Sequence, residues 1–79
     1  MKPLPIIYKP IACAFYDELE LYAIQQKILE IQFTDENFNT KNIQAKIKTF
    51  ETKNKQEYML TSTAIRIRLD RIISIKVLQ

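Results

Sequence analysis

Hydrophobic and polar residues alternate along most of the chain after residue 27. Leu29, Ile31 and Phe33 are separated by single polar residues. A period of two is typical of a strand with one buried face. The same alternation recurs in four later segments, with apolar positions at Ile43, Ala45 and Ile47 (running on to Phe50), at Tyr58 and Leu60 within 57–61, at Ile65, Ile67 and Leu69, and at Ile73, Ile75 and Val77. The pattern therefore predicts five strands within residues 27–79.

A helix is predicted before the strands, over residues 17–26. Asp17 and Glu20 have the spacing of a capping box, in which Asp17 is the N-cap. Tyr16 and Leu21 are placed to form the hydrophobic staple that accompanies such a start. Because Pro10 disfavours helix in its vicinity, residues 1–16 are predicted to form an extended arm.

The predicted connections contain no glycine, since the chain has none. Residues 35–41 are mostly polar and predict a loop, residues 53–55 predict a turn, and Asp70 with Arg71 predicts a tight corner. Any left-handed backbone positions are expected at asparagines, which tolerate them better than most residues. The candidates are Asn37, Asn39, Asn42 and Asn54.

A helix followed by five short strands defines the predicted fold. The 79 residues suffice for a single domain but not for a two-layer sandwich. We therefore expect a mostly β domain with one N-terminal helix, built as a small, bent, five-stranded antiparallel barrel over residues 27–79.

Charge is distributed unequally along the chain. The net charge is +3, yet residues 1–36 contain three basic and six acidic residues, whereas residues 37–79 contain nine and three. Within the basic part, four cations project at alternate positions of two predicted strands: Lys46, Lys48, Arg66 and Arg68. They predict either an RNA-binding face or merely the solvated outer surface of a barrel.

Catalytic and metal-binding signals are missing from the sequence. The chain has no histidine, no glycine-rich phosphate loop and only one cysteine. We expect no enzyme activity, no cofactor, no metal and no small-molecule substrate. Cys13 is expected to be a small buried hydrophobe rather than a reactive thiol. Without a long apolar segment or paired cysteines, the expected location is the cytoplasm, away from membranes.

Three strings of residues resemble one known family. The first contains Tyr8, Pro10, Ile11, Cys13, Tyr16, Asp17, Leu19 and Glu20; the others are residues 56–60 (QEYML) and 66–72 (RIRLDRI). In order and spacing they resemble the Rof family, the small bacterial Rho-binding antiterminators. The resemblance implies an Sm-like barrel with an N-terminal helix.

The resemblance also implies a partner, the RNA-binding domain of the transcription terminator Rho. Members of the family are expected to bind there in competition with RNA and so to reduce termination. Asp17 and Glu20 match the family motif, Tyr16 adjoins them, and Glu18 joins the predicted site on charge alone. Three alternatives stay open. These acids only stabilise a helix terminus, the protein is an Sm-like module that binds RNA or a ribonucleoprotein through the four cations, or it is a small scaffold protein whose partner neither surface identifies.

Overall fold

The computed structural model describes residues 8–79, which form one α-helix and six strands. The elements are α1 (Cys13–Ile24), β1 (Leu29–Thr34), β2 (Thr40–Ala45), β3 (Ile47–Lys53), β4 (Gln56–Thr61), β5 (Arg66–Arg68), a 3-10 turn (Leu69–Arg71) and β6 (Ile72–Val77). The prediction of a mostly β chain with one helix is confirmed. The part of the predicted arm in residues 1–7 lies outside the described residues.

The strands form two three-stranded antiparallel sheets. The first has the order β2-β1-β6 and the second the order β3-β4-β5. In the first sheet Ile31 pairs with both Ile43 and Ile75; in the second, Met59 pairs with Phe50 and Ile67. Only Lys46 separates β2 from β3, so one bent segment supplies an edge strand to each sheet.

A single hydrophobic core joins the two sheets and the helix. Its buried members are Leu19, Leu29, Ile31, Phe33, Ile47, Met59, Ile67 and Leu69. On β1 the buried residues alternate with half-buried ones, which confirms the predicted strand and its inward face. The buried Leu19 comes from α1, so this short helix owes its stability to packing on the strands.

The predicted bent, five-stranded barrel is not confirmed, since residues 8–79 form six strands in two sheets and no closed barrel. The predicted second strand splits at Lys46, because the backbone there pairs with Ser62 instead of continuing along β1. The Lys46 N–H donates to Ser62 Oγ at 3.1 Å, and the Ser62 N–H donates to the Lys46 carbonyl at 2.9 Å. The 3-10 turn, at the predicted Asp70-Arg71 corner, then separates β5 from β6. The Sm-like character implied by the resemblance stays a prediction.

The helix starts four residues earlier than predicted, at Cys13, so residues 13–16 are not extended. Its N-cap is Ala12, which forms no side-chain cap and whose carbonyl accepts the Phe15 and Tyr16 N–H groups at 3.0 Å. The capping box and the staple are therefore wrong. A cap contributes about 1 kcal/mol, and two half-buried aromatic side chains together contribute at least as much, since full burial of one is worth about 1.5–3 kcal/mol. Both Phe15 and Tyr16 pack on the core from the first turns.

The end of α1 also differs from its predicted position. The helix ends at Ile24 rather than Gln26. Gln26 has a φ of 52° and takes the left-handed position that glycine often occupies after a helix. In this chain without glycine, a polar residue accepts that conformation.

The inward face of β4 was assigned wrongly from its sequence. Met59 and Thr61 are buried, whereas Tyr58 and Leu60 are half-buried. The register explains the difference, because Met59 lies between Phe50 and Ile67 in the middle of its sheet. Both faces of β4 carry apolar residues, so the local pattern could not select one.

The turns confirm one of the four predicted left-handed asparagines. Asn54 and Lys55 have φ values of 53° and 62° and join β3 to β4, as in a two-residue hairpin turn. The remaining positive φ values among residues 8–79 are at Gln26, Phe38 and Ala64. Before β2, Asp35 Oδ1 accepts the N–H groups of Asn37 and Asn39 at 2.8 and 2.9 Å. This arrangement leaves Phe38 at the left-handed position.

Candidate functional site

Three carboxylates project from α1 into solvent. Asp17, Glu18 and Glu20 are exposed, while Leu19 between them is fully buried. Leu19 fixes which side of the helix faces the core and turns the three acids outward. Within residues 8–79 none of the three forms an ion pair. Asp17 and Glu20 lie three residues apart on neighbouring positions of the surface, where like charges repel each other.

Two large apolar side chains share this surface. Leu21 is 49% exposed and Ile24 is 79% exposed. Each lies one helical turn after an acid, Leu21 after Asp17 and Ile24 after Glu20. We call these four residues, together with Glu18, the outer face of α1. It combines negative charge with exposed hydrophobic area.

Tyr16 lies on the side of α1 that faces β3. Its ring packs on Phe50 with the ring centroids 5.2 Å apart. Burial raises the pKa of the Tyr16 hydroxyl, and the negative charges of Glu20 and Glu57 raise it further. Glu57 is therefore close to the same hydroxyl as Glu20. The fold thus brings a fourth acid, from β4, to the edge of the predicted site.

Glu18 has a partner on its own helix. Burial raises the pKa of Tyr22, and the charge of Glu18 and a hydrogen bond with it raise that pKa further. Asp17, in contrast, has no hydrogen bond to a side chain of residues 8–79. Asp17 is the acid whose replacement disturbs the fewest contacts within the described part of the chain.

A cluster of polar side chains holds the N-terminal arm on the second sheet. Tyr8 Oη donates to Glu57 Oε1 at 3.0 Å, and the Lys9 backbone N–H donates to Asp70 Oδ2 at 3.1 Å. Arg68 donates from Nε and Nη2 to the two carboxylate oxygens of Asp70, both at 2.6 Å. Its guanidinium carbon lies 5.7 Å from the centroid of the Tyr8 ring. We call these five residues the arm cluster.

Burial and charge perturb the ionisable groups of the arm cluster. Burial favours the neutral form of Asp70, yet the hydrogen bonds from Arg68 and from the Lys9 N–H lower its pKa below the usual value. The hydrogen bond with Asp70 raises the pKa of Arg68. Burial, followed by the hydrogen bond with Glu57, raises the pKa of Tyr8. These shifts keep Asp70 negatively charged, Arg68 positively charged and Tyr8 protonated, which are the states that hold the cluster together.

No local pattern in the sequence indicates that these five residues form a cluster. Its members are 49 and 61 residues apart along the chain in the two contacts of the arm. Four of its members do, however, come from the three strings that carry the family resemblance: Tyr8, Glu57, Arg68 and Asp70. The resemblance therefore includes residues that attach the arm to the strands.

The four predicted cations do not form one continuous free surface. Lys46 and Lys48 are exposed and line a small hollow of about 260 Å³ with Ala23 and Gln26, near the end of α1. Arg66 is paired with Glu51 at 2.8 Å. Arg68 belongs to the arm cluster, on β5 with β4 between it and β3. The structure separates the lysines from the arginines, and the RNA-binding alternative stays a prediction.

A groove lies between the turn that follows β1 and strands β4 and β5. Its volume is about 740 Å³, and its apolar lining includes Phe33, Ile43, Tyr58 and Ile67. Charged residues of both signs lie at its border, among them Asp35 and Lys41, which are 3.9 Å apart. The mixed charge favours no particular ligand.

The prediction for Cys13 is wrong. Its side chain is exposed rather than buried, because the early start of α1 turns it away from the core. In the described residues no three His, Cys, Asp or Glu side chains cluster as a metal site would require. Likewise, no helix among residues 8–79 has the length and apolar character needed to span a membrane.

Comparison with known protein families assigns the chain to one family. A family model described as modulator of Rho-dependent transcription termination (ROF) matches residues 10–79. Comparisons with curated proteins and with solved structures find no match. The family match spans α1, all six described strands and most of the arm cluster. The chain therefore belongs to the Rof family, the modulators of Rho-dependent transcription termination.

Proposed function

We propose that this protein binds the RNA-binding domain of Rho through the outer face of α1 and prevents RNA from loading there. The observation that carries the proposal is the group of exposed acids, Asp17, Glu18 and Glu20, which no cation of residues 8–79 neutralises. A surface that binds RNA phosphates is cationic. Carboxylates at complementary positions accelerate association and select such a surface. Tyr16 and Glu57 border the same site.

The position of the acids within α1 supports this proposal. Because Ala12 is the N-cap, Asp17 and Glu20 have no capping role in the helix. Repulsion between neighbouring exposed acids is mildly unfavourable for the isolated helix. Stability of the fold therefore does not account for these residues, whereas complementarity to a cationic partner does.

The proposed mechanism requires binding only. Occupying the RNA site prevents loading without a catalytic step, a cofactor or a metal, and it operates in the cytoplasm, where transcripts are made. The Sm-like fold belongs to the same proposal. It is supported by the bent segment that runs through β2, Lys46 and β3 and connects the two sheets.

The test is a titration of the purified protein against the RNA-binding domain of the host's Rho, with and without cytidine-rich competitor RNA. We expect saturable binding that the RNA displaces and that weakens as salt increases. Asp17→Lys is expected to weaken binding by about tenfold or more, which corresponds to about 1.4 kcal/mol. Most of this loss is expected in the association rate.

The matched control is Glu36→Lys, which makes the same charge change in the exposed turn between β1 and β2. It is expected to bind like the wild type within about twofold, since screening at physiological salt limits the reach of exposed charges. If the folded wild-type protein does not bind the domain at low salt, the proposed function is wrong. If both variants lose affinity equally, the outer face of α1 is not the interface.

A further inference from the structure

The outer face of α1 exposes large hydrophobic side chains as well as acids. Ile24 is 79% exposed, the largest fraction among the exposed large hydrophobic residues of the described chain. Leu21, three residues earlier, is 49% exposed and neighbours it on the helix surface. Single exposed hydrophobic residues are normal on a soluble protein, but adjacent ones at a charged site indicate a contact surface.

The spacing of acidic and apolar residues on α1 is regular. Asp17 precedes Leu21 by four residues, and Glu20 precedes Ile24 by the same interval. Four residues advance about 6 Å along a helix and return to nearly the same side. The surface therefore presents two acid–apolar pairs side by side, each with its carboxylate nearer the helix N-terminus.

This arrangement has the chemistry of single-stranded RNA. A protein surface that binds single strands combines cations for the phosphates with apolar or aromatic side chains on which the bases stack. A competitor that used carboxylates alone would leave the base-binding part of such a surface uncovered. Carboxylates alternating with apolar side chains complement both parts of it.

We propose that Leu21 and Ile24 are the apolar anchors of the interface and occupy the surfaces on which Rho stacks RNA bases, while Asp17 and Glu20 occupy the positions of the phosphates. This inference rests on the proposed function and assigns separate roles to the two residue types. The acids govern association and salt dependence. The apolar residues are buried on binding and govern dissociation.

The test replaces each anchor by alanine and measures association and dissociation rates with the RNA-binding domain of Rho. Ile24→Ala is expected to increase the dissociation rate about tenfold, and Leu21→Ala severalfold. Neither is expected to change the association rate much. Salt dependence is expected to stay as in the wild type. Folding is preserved at these exposed positions, since alanine is the best helix former.

Ile73→Ala is the matched control, because Ile73 is 54% exposed on β6 and outside the outer face. It is expected to leave both rates unchanged. A second readout is the heat-capacity change of binding, which is negative when apolar area is buried. It is expected to become less negative in Ile24→Ala and to stay the same in Ile73→Ala.

The outcomes separate this inference from the proposed function. If the wild type binds Rho and both α1 variants dissociate at the wild-type rate, the anchor role is overturned while the acidic interface stands. If Ile24→Ala lowers only the association rate, the division of roles is wrong. If the folded wild type does not bind, the proposed function fails and the anchor role fails with it.

Discussion

At the scale of single residues, two arginines on β5 differ in what surrounds them. Arg68 and Asp70 are each 7% exposed and form a bidentate pair. Arg66 and Glu51 are 49% and 38% exposed and share one hydrogen bond. Exposed ion pairs contribute little to stability because water and salt screen them. Removing one member of a buried pair leaves an uncompensated charge inside the protein.

We therefore expect Arg68→Met to lower the free energy of unfolding by about 3 kcal/mol. The same substitution at Arg66, two residues away on the same strand, is expected to cost less than about 1 kcal/mol. Urea denaturation at pH 7 measures both variants. Equal losses would contradict the structural role given to the arm cluster.

The pH dependence of the same measurement checks the cause of the loss. The pKa of Asp70 is lowered in the folded protein, so its contribution is complete above the unfolded pKa of about 4 and disappears as the pH falls through the folded value. The difference between the wild type and Arg68→Met is therefore expected to shrink below about pH 4. A constant difference down to pH 2 would mean that Arg68 stabilises the protein by packing alone.

At the scale of elements, α1 shows how packing outweighs a local signal. Its N-cap is Ala12, in an extended conformation with φ −60° and ψ 142° but without a polar side chain. The backbone geometry therefore suits a serine, whose hydroxyl can accept the N–H of Ala14 or Phe15. The first turn contains no acidic residue.

We expect Ala12→Ser to raise the free energy of unfolding by about 1 kcal/mol. Ala14→Ser, two residues into the helix, is expected to lower it by a few tenths of a kcal/mol, roughly, because serine is a weaker helix former than alanine. Thermal or urea denaturation of both variants tests where α1 begins. A gain from Ala14→Ser without one from Ala12→Ser would mean that the helix starts elsewhere.

At the scale of the whole molecule, the four cations proposed for RNA binding differ in whether an acid pairs with them. Two of the four cations proposed for RNA are bound to Glu51 and Asp70, whereas Lys46 and Lys48 form no ion pair within residues 8–79. The logarithm of a protein's affinity for single-stranded RNA falls linearly with the logarithm of the salt concentration. The slope is proportional to the number of phosphates that the protein neutralises. The number of cations available is therefore measurable.

We expect any RNA binding to be weak, with a slope of log affinity against log salt of about −1.4, as for two phosphate contacts on a single strand. The double variant Lys46→Glu with Lys48→Glu is expected to abolish it, while Lys76→Glu on β6 serves as the control. A slope near −2.8 would correspond to about four contacts. That result would mean that Arg66 and Arg68 also contact RNA phosphates, as the RNA-binding alternative predicts.

The sequence by itself determined the features that depend on near neighbours. Alternation alone located β1 and its buried face, and Asn54 marked the turn between β3 and β4, because a strand's period and a turn's backbone are local properties. The strings that match the family also identified the chain, since they do not require a structure. The negative charge of the α1 acids could be read from the sequence, but their position relative to the start of the helix could not.

The tertiary structure decided what depends on residues that are distant along the chain. The start of α1 follows from the packing of Phe15 and Tyr16 on the strands, which outweighs a cap worth about 1 kcal/mol. The split at Lys46 depends on Ser62, and the arm cluster depends on contacts across 49 and 61 residues. The exposure of Ile24 depends on where the core lies relative to α1. Since burial is set by contacts from the whole chain, the apolar half of the proposed interface became apparent only in the folded protein.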